Sequence, residues 1–132
     1  MTRLRHFDKL GTGRFVTFST YRRHQLLKRN AIASLFVKAL DQIRSRHTLR
    51  LWGYVVMPDH VHLVMLPCEN KGGVSLGRIV GELKSVSARA ILTYLRTEKK
   101  IDLGNLTRSD ESISFWQRRC YDHNCRSSEI VV

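Results

Sequence analysis

Two histidines one residue apart, His60 and His62, are the residues best suited to chemistry in this chain. On a strand, alternate side chains share a face, so the two imidazoles would project side by side while Val61 points the other way. Two neutral ring nitrogens in that arrangement can hold a divalent metal with help from a third ligand. Asp59, Asp122 and His123 are the candidates for that ligand. The pair also opens an otherwise apolar run ending at Leu66, where imidazoles without partners would be costly. Two half-exposed polar residues on a sheet face would show the same spacing, and spacing alone does not choose between the readings.

Charge supplies the next constraint. The 132 residues carry 23 Lys and Arg against 11 Asp and Glu, a net charge of +12. So large an excess points to a polyanionic partner, nucleic acid above all, although very soluble proteins are also basic. A metal that polarises a phosphate suits such a partner. Arg22, Arg23, Lys84, Arg118 and Arg119 are the candidates for phosphate contact, each with a solubility role as its alternative. Cys68, Cys120 and Cys125 lack CxxC spacing and read as free thiols of a reducing cytosol. No run is long and apolar enough for a membrane span, and no apolar stretch follows the basic start Met1–Leu10. The expected location is cytoplasmic, with no membrane partner.

The elements that must position these residues follow from periodicity. Arg14 to Thr20 alternates and is rich in β-branched and aromatic residues, a strand. Asn30 is placed to cap a helix whose Ile32, Leu35, Phe36, Ala39, Leu40 and Ile43 share one face, fraying through Arg44–His47. Leu49 to Met57 and His60 to Leu66 read as two strands joined by Pro58-Asp59, a hairpin. After a loop with Gly72-Gly73, Ser75 caps a second helix, with Leu76, Ile79, Val80, Leu83, Ala90, Ile91 and Tyr94 inward. Arg78, Arg89 and Arg96 stripe its opposite face, either toward DNA or toward solvent. Residues 97–114 read as a loop and Ser114–Arg119 as a fourth strand. Phe15, Phe18, Trp52 and Trp116 are assigned to the core.

The order strand, helix, strand, strand, helix, strand predicts an α+β, ferredoxin-like split βαβ fold (βαββαβ), an antiparallel sheet with two helices on one face. One domain over residues 1–132 is expected. In that topology the first and third strands are central, so His60 and His62 fall on a central strand.

The run Tyr54-Val55-Val56-Met57-Pro58-Asp59-His60-Val61-His62-Leu63-Val64 resembles the metal-binding segment of the single-tyrosine HUH transposases, in the branch of REP-associated tyrosine transposases. Three further stretches are similar to that family: Phe15–Phe18 with Arg22-Arg23, Leu83-Lys84-Ser85, and Phe115–Arg118 with Tyr121-Asp122-His123. The resemblance implies a bacterial mobile-element protein, usually a homodimer, that binds single-stranded DNA folded into hairpins. It implies a divalent metal, Mg²⁺ or Mn²⁺, on His60 and His62. A tyrosine would attack the scissile phosphate and keep the 5′ end as a phosphotyrosine, conserving the bond energy without a nucleotide cofactor.

The chain departs from the family pattern where the nucleophile belongs. A run like Tyr-Ile-x-x-Asn-Pro, on a helix after the Trp-Gln segment, does not occur before Val132. Truncation before that helix is the expectation from the sequence. Tyr121 lies nearest but matches a non-catalytic position, and Tyr94 falls on a core face. Two other readings stay open: a remnant that binds hairpin DNA without cutting it, and an RNA-binding module of the same fold class that stacks bases on aromatic side chains.

Overall fold

The computed structural model describes residues 13–67, 75–99, 106–110 and 112–118. Its elements run β1 (Arg14–Ser19), α1 (Asn30–His47), β2 (Leu49–Met57), β3 (His60–Pro67) and α2 (Leu76–Tyr94), with one π-helical turn, Leu95–Lys99, continuing α2. β3 lies between β1 and β2 and pairs antiparallel with both. The fold is α+β, a three-stranded antiparallel sheet with two helices, consistent with the split βαβ pattern.

Alternation makes the sheet two-sided. Val16 and Phe18 of β1 and Val61, Leu63 and Met65 of β3 are buried. They meet Ile32, Phe36, Leu40 and Ile43 of α1 and Ile79, Val80, Leu83 and Ile91 of α2 in one core. Burying such side chains stabilises by about 1.5–3 kcal/mol each. Phe15, Thr17 and Ser19 point to the other face, opposite Val64, His62 and His60.

Helix boundaries rest on local bonds. Ser75 caps α2 as expected, its hydroxyl accepting from the Arg78 N–H at 3.2 Å. Asn30 is instead the first residue of α1, and Arg29 occupies the cap position without a side-chain bond. α1 does not fray at Arg44–His47. His47 Nε2 lies 2.6 Å from Glu82 of α2, Arg46 pairs with the same carboxylate, and Thr48 ends the helix at φ 55°.

Two expectations fail for packing reasons. The fourth strand, expected over Ser114–Arg119, is reduced to a bridge between Trp116 and Thr20. Tyr21 N–H donates to Phe115 O at 2.9 Å and Gln117 N–H to Ser19 O at 2.8 Å. Phe115 and Trp116 are consecutive and both buried, which a regular pleat forbids. Trp52 is not a core residue but 41% exposed. The β2–β3 register slips between Leu51 and Gly53, so Trp52 is the extra residue of a β-bulge. Within the stretch read as a loop, Thr107 bridges Ile113, and Leu106 is buried.

Candidate functional site on the open face of the sheet

The two-residue turn Pro58-Asp59 sets where the histidines stand. Thr20 fastens it, its N–H donating to Asp59 O at 2.9 Å, while its hydroxyl donates to His24 O at 2.7 Å and also lies 3.1 Å from Asp59 O. Leu27 N–H donates to Pro58 O at 3.2 Å. β3 then begins at His60, opposite Ser19 on β1 and Met57 on β2. His62 follows opposite Thr17 and Val55.

The two imidazoles converge. His60 Nε2 and His62 Nε2 lie 3.1 Å apart, the rings nearly perpendicular at 89°. Their other nitrogens face oxygens. Asp59 Oδ1 is 2.7 Å from His60 Nδ1, and Thr17 Oγ1 is 3.0 Å from His62 Nδ1. The Phe15 ring stacks on His62 at 5.6 Å and an interplanar angle of 7°. Phe15 is therefore a wall of the site, not a core residue. Desolvation, then the neighbouring His60 charge, lowers the His62 pKa. The His60 imidazole, then the Arg23 guanidinium 3.0 Å away, holds the Asp59 carboxyl below the ordinary carboxylate range.

The donor set fits a cation. Around one divalent ion with bonds of about 2.1 Å, neighbouring nitrogens stand roughly 3.0 Å apart at a right angle and about 3.4 Å apart in a tetrahedron. The observed separation falls in that interval. Among the described residues no group of three His, Cys, Asp or Glu side chains stands together as a metal site. Asp59, one candidate third ligand, is turned to the far nitrogen of His60. Asp122 and His123 lie outside the described residues.

Cations gather where β1 ends, beside this site. Arg22 and Arg23 are both exposed and both in the left-handed region, at φ 55° and 56°. For non-glycine residues that conformation is held only by surrounding structure. The Arg22 and Arg108 guanidiniums lie 5.2 and 5.4 Å from the Tyr21 ring centre. Arg108 had no signal in the sequence, since it sits in a stretch without periodicity. Lys84 Nζ donates to Gln117 O at 2.7 Å and to Arg118 O at 3.3 Å, holding the 112–118 segment on α2. Arg118 itself is exposed. Arg119 and Tyr121 lie outside the described residues. Of the described tyrosines, Tyr94 packs against the core and Tyr54 sits on β2, 44% exposed.

Comparison with known proteins gives a family and a shared fold. Residues 12–128 match the family model of IS200-like transposases. Two solved structures share the fold. One is described as a candidate transposase of Deinococcus radiodurans R1, at 22% identity and a TM-score of 0.63, covering 85% of this chain and 77% of that one. The other is a REP-associated tyrosine transposase bound to a REP hairpin, at 22% identity and a TM-score of 0.61. There the match covers 89% of this chain but 58% of the relative. No curated protein matches the chain.

Proposed function

The chain belongs to the IS200-like transposase family, and on that premise we propose that its open sheet face holds a divalent cation, Mg²⁺ or Mn²⁺, against a phosphodiester of hairpin-forming single-stranded DNA. The observation that carries this reading is the convergence of His60 Nε2 and His62 Nε2 at 3.1 Å on a partly exposed face that neither helix covers. When bound, the ion polarises a phosphoryl oxygen and stabilises the charge that builds there.

The rest is work for the chain's own groups. His60 and His62 offer neutral nitrogens. Arg22, Arg23, Arg108 and Arg118, with Lys84 bracing the segment beside them, form a basic rim for the DNA backbone, and Arg119 continues it in sequence. A tyrosine hydroxyl attacks phosphorus and gives up its proton, and the P–O3′ bond breaks. The 3′ oxygen leaves as a hydroxyl, and the 5′ phosphate stays on the tyrosine. A different 3′ hydroxyl can reverse the step and join a new strand. Tyr121 is this chain's nearest candidate in sequence, and a second copy is the other source. A homodimer is supported by the apolar outer strand, where Trp52, Tyr54, Val55 and Met57 are all substantially exposed.

A cleavage assay tests the proposal. Protein, Mg²⁺ or Mn²⁺ and single-stranded hairpins from repeats flanking the gene are combined, and a covalent protein–DNA adduct is sought on a denaturing gel. The expected result is an adduct that His60→Ala abolishes. Tight hairpin binding without an adduct would overturn strand transfer and leave a DNA-binding module. Preference for RNA, indifferent to His60→Ala, would favour the base-stacking alternative.

A further inference from the structure

The far nitrogens of the two histidines are treated differently. The Asp59 carboxylate can only accept, so it requires a proton on His60 Nδ1 and, in the neutral imidazole, leaves His60 Nε2 bare. The Thr17 hydroxyl can accept or donate, so it tolerates either tautomer of His62. Two nitrogens 3.1 Å apart cannot both present lone pairs without a proton or a cation between them. With both rings neutral and no cation bound, His62 Nε2–H would donate to His60 Nε2, and Thr17 would donate to His62 Nδ1. With a cation bound, the proton on His62 would move to Nδ1, Thr17 would turn to accept it, and both Nε2 atoms would be free to hold the ion.

We propose that Asp59 and Thr17 are positioning residues, Asp59 fixing one tautomer of His60 and Thr17 acting as a reversible partner that lets His62 change tautomer when a cation enters. The surroundings are built for this. The turn that carries Asp59 is fastened by Thr20 and Leu27, and Arg23 holds the second carboxylate oxygen. Thr17 faces His62 because β1 and β3 pair in that register, and Phe15 keeps the His62 ring flat against it. Partners of this kind raise ligand basicity and fix ring orientation.

The inference rests on the proposed metal site, and two readouts separate the two. Calorimetric titration with Mn²⁺ alone compares wild type, His60→Ala, Asp59→Ala, Thr17→Val and Thr17→Ser. Long-range ¹H–¹⁵N spectra of the imidazoles, at about pH 8.5 where an ordinary histidine is neutral, read the tautomers directly. Wild type is expected to show His60 as the Nδ1–H tautomer with or without Mn²⁺. His62 changes from Nε2–H to Nδ1–H on loading. Asp59→Ala mixes the His60 tautomers, and Asp59→Ala and Thr17→Val each weaken Mn²⁺ binding about 10- to 100-fold. Thr17→Ser restores it. Wild-type Mn²⁺ affinity and unchanged tautomers in Asp59→Ala and Thr17→Val would overturn the inference. Absence of Mn²⁺ binding by wild type would overturn the metal reading, while the His60 tautomer, still read without metal, would decide the role of Asp59.

Discussion

One sheet offers two unlike faces built from the same three strands. Toward the helices, Val16, Phe18, Val61, Leu63 and Met65 have almost no contact with water. Away from them, Phe15, Thr17, His60 and His62 keep partial exposure, and every ring nitrogen of the pair has a neighbour. Val61 belongs to the first face and its two neighbours to the second. A single alternation therefore assigns adjacent residues to the core and to the proposed site, and the two faces should respond to different substitutions.

The largest effect should come from the closed face. Phe18→Ala removes a fully buried ring that meets both Phe36 and Trp116, and should cost about 3–5 kcal/mol in a denaturant melt. A loss below about 1 kcal/mol would mean that this face is not the cohesive one.

Ser87→Ala comes next. Ser87 Oγ accepts from Trp116 Nε1 at 3.0 Å and donates to Leu83 O at 2.7 Å. Its removal strands a buried indole N–H, at about 1–3 kcal/mol. Tryptophan emission should report loosening at Trp116, and unchanged emission and stability would break the link between α2 and the 112–118 segment.

On the open face, His62→Ala should leave metal-free stability within about 1 kcal/mol of wild type. The rise in melting temperature that Mn²⁺ is expected to give wild type should be absent from the variant. A destabilisation comparable to Phe18→Ala would erase the distinction between the faces.

The smallest effect is a pH dependence. Burial, partly offset by the bond from His24 Nε2 to Phe115 O, lowers the His24 pKa below its ordinary 6.5. The unfolded chain then takes up a proton more readily than the folded one. The stabilisation is present above pH 6.5 and is lost as pH falls through the lower folded value. His62, also depressed, titrates in the same direction. Thermal melts from neutral toward acid pH should show a slope that His24→Gln reduces, and an unchanged slope would assign it elsewhere.

Local patterns were legible in the sequence, and pairings across the chain were not. The face of α1, the Ser75 cap, the hairpin and the shared face of His60 and His62 all follow from spacing within one element. Thr17 and Phe15 meet the His62 ring only through the β1–β3 register, which joins segments far apart in the chain. Trp52 was misplaced because a bulge shifts alternation by one residue, and periodicity carries no mark of the slip. Phe115-Trp116 resembled a strand in composition, yet both side chains turn inward. Arg108 is brought to Tyr21 by tertiary packing alone.

Lys84 has one more consequence. Its ammonium is already solvated by two backbone carbonyls, and Arg23 already faces a carboxylate. On the proposed reading, a strand arriving at the rim would displace small ions chiefly from side chains that still carry an ionic atmosphere. Single strands lose affinity with salt at a slope of roughly 0.7 per neutralised phosphate. The formal charge of +12 therefore overstates the steepness of that loss. The exposed guanidinium of Arg118, which has no ion pair among the described residues, should weigh more in it than Lys84.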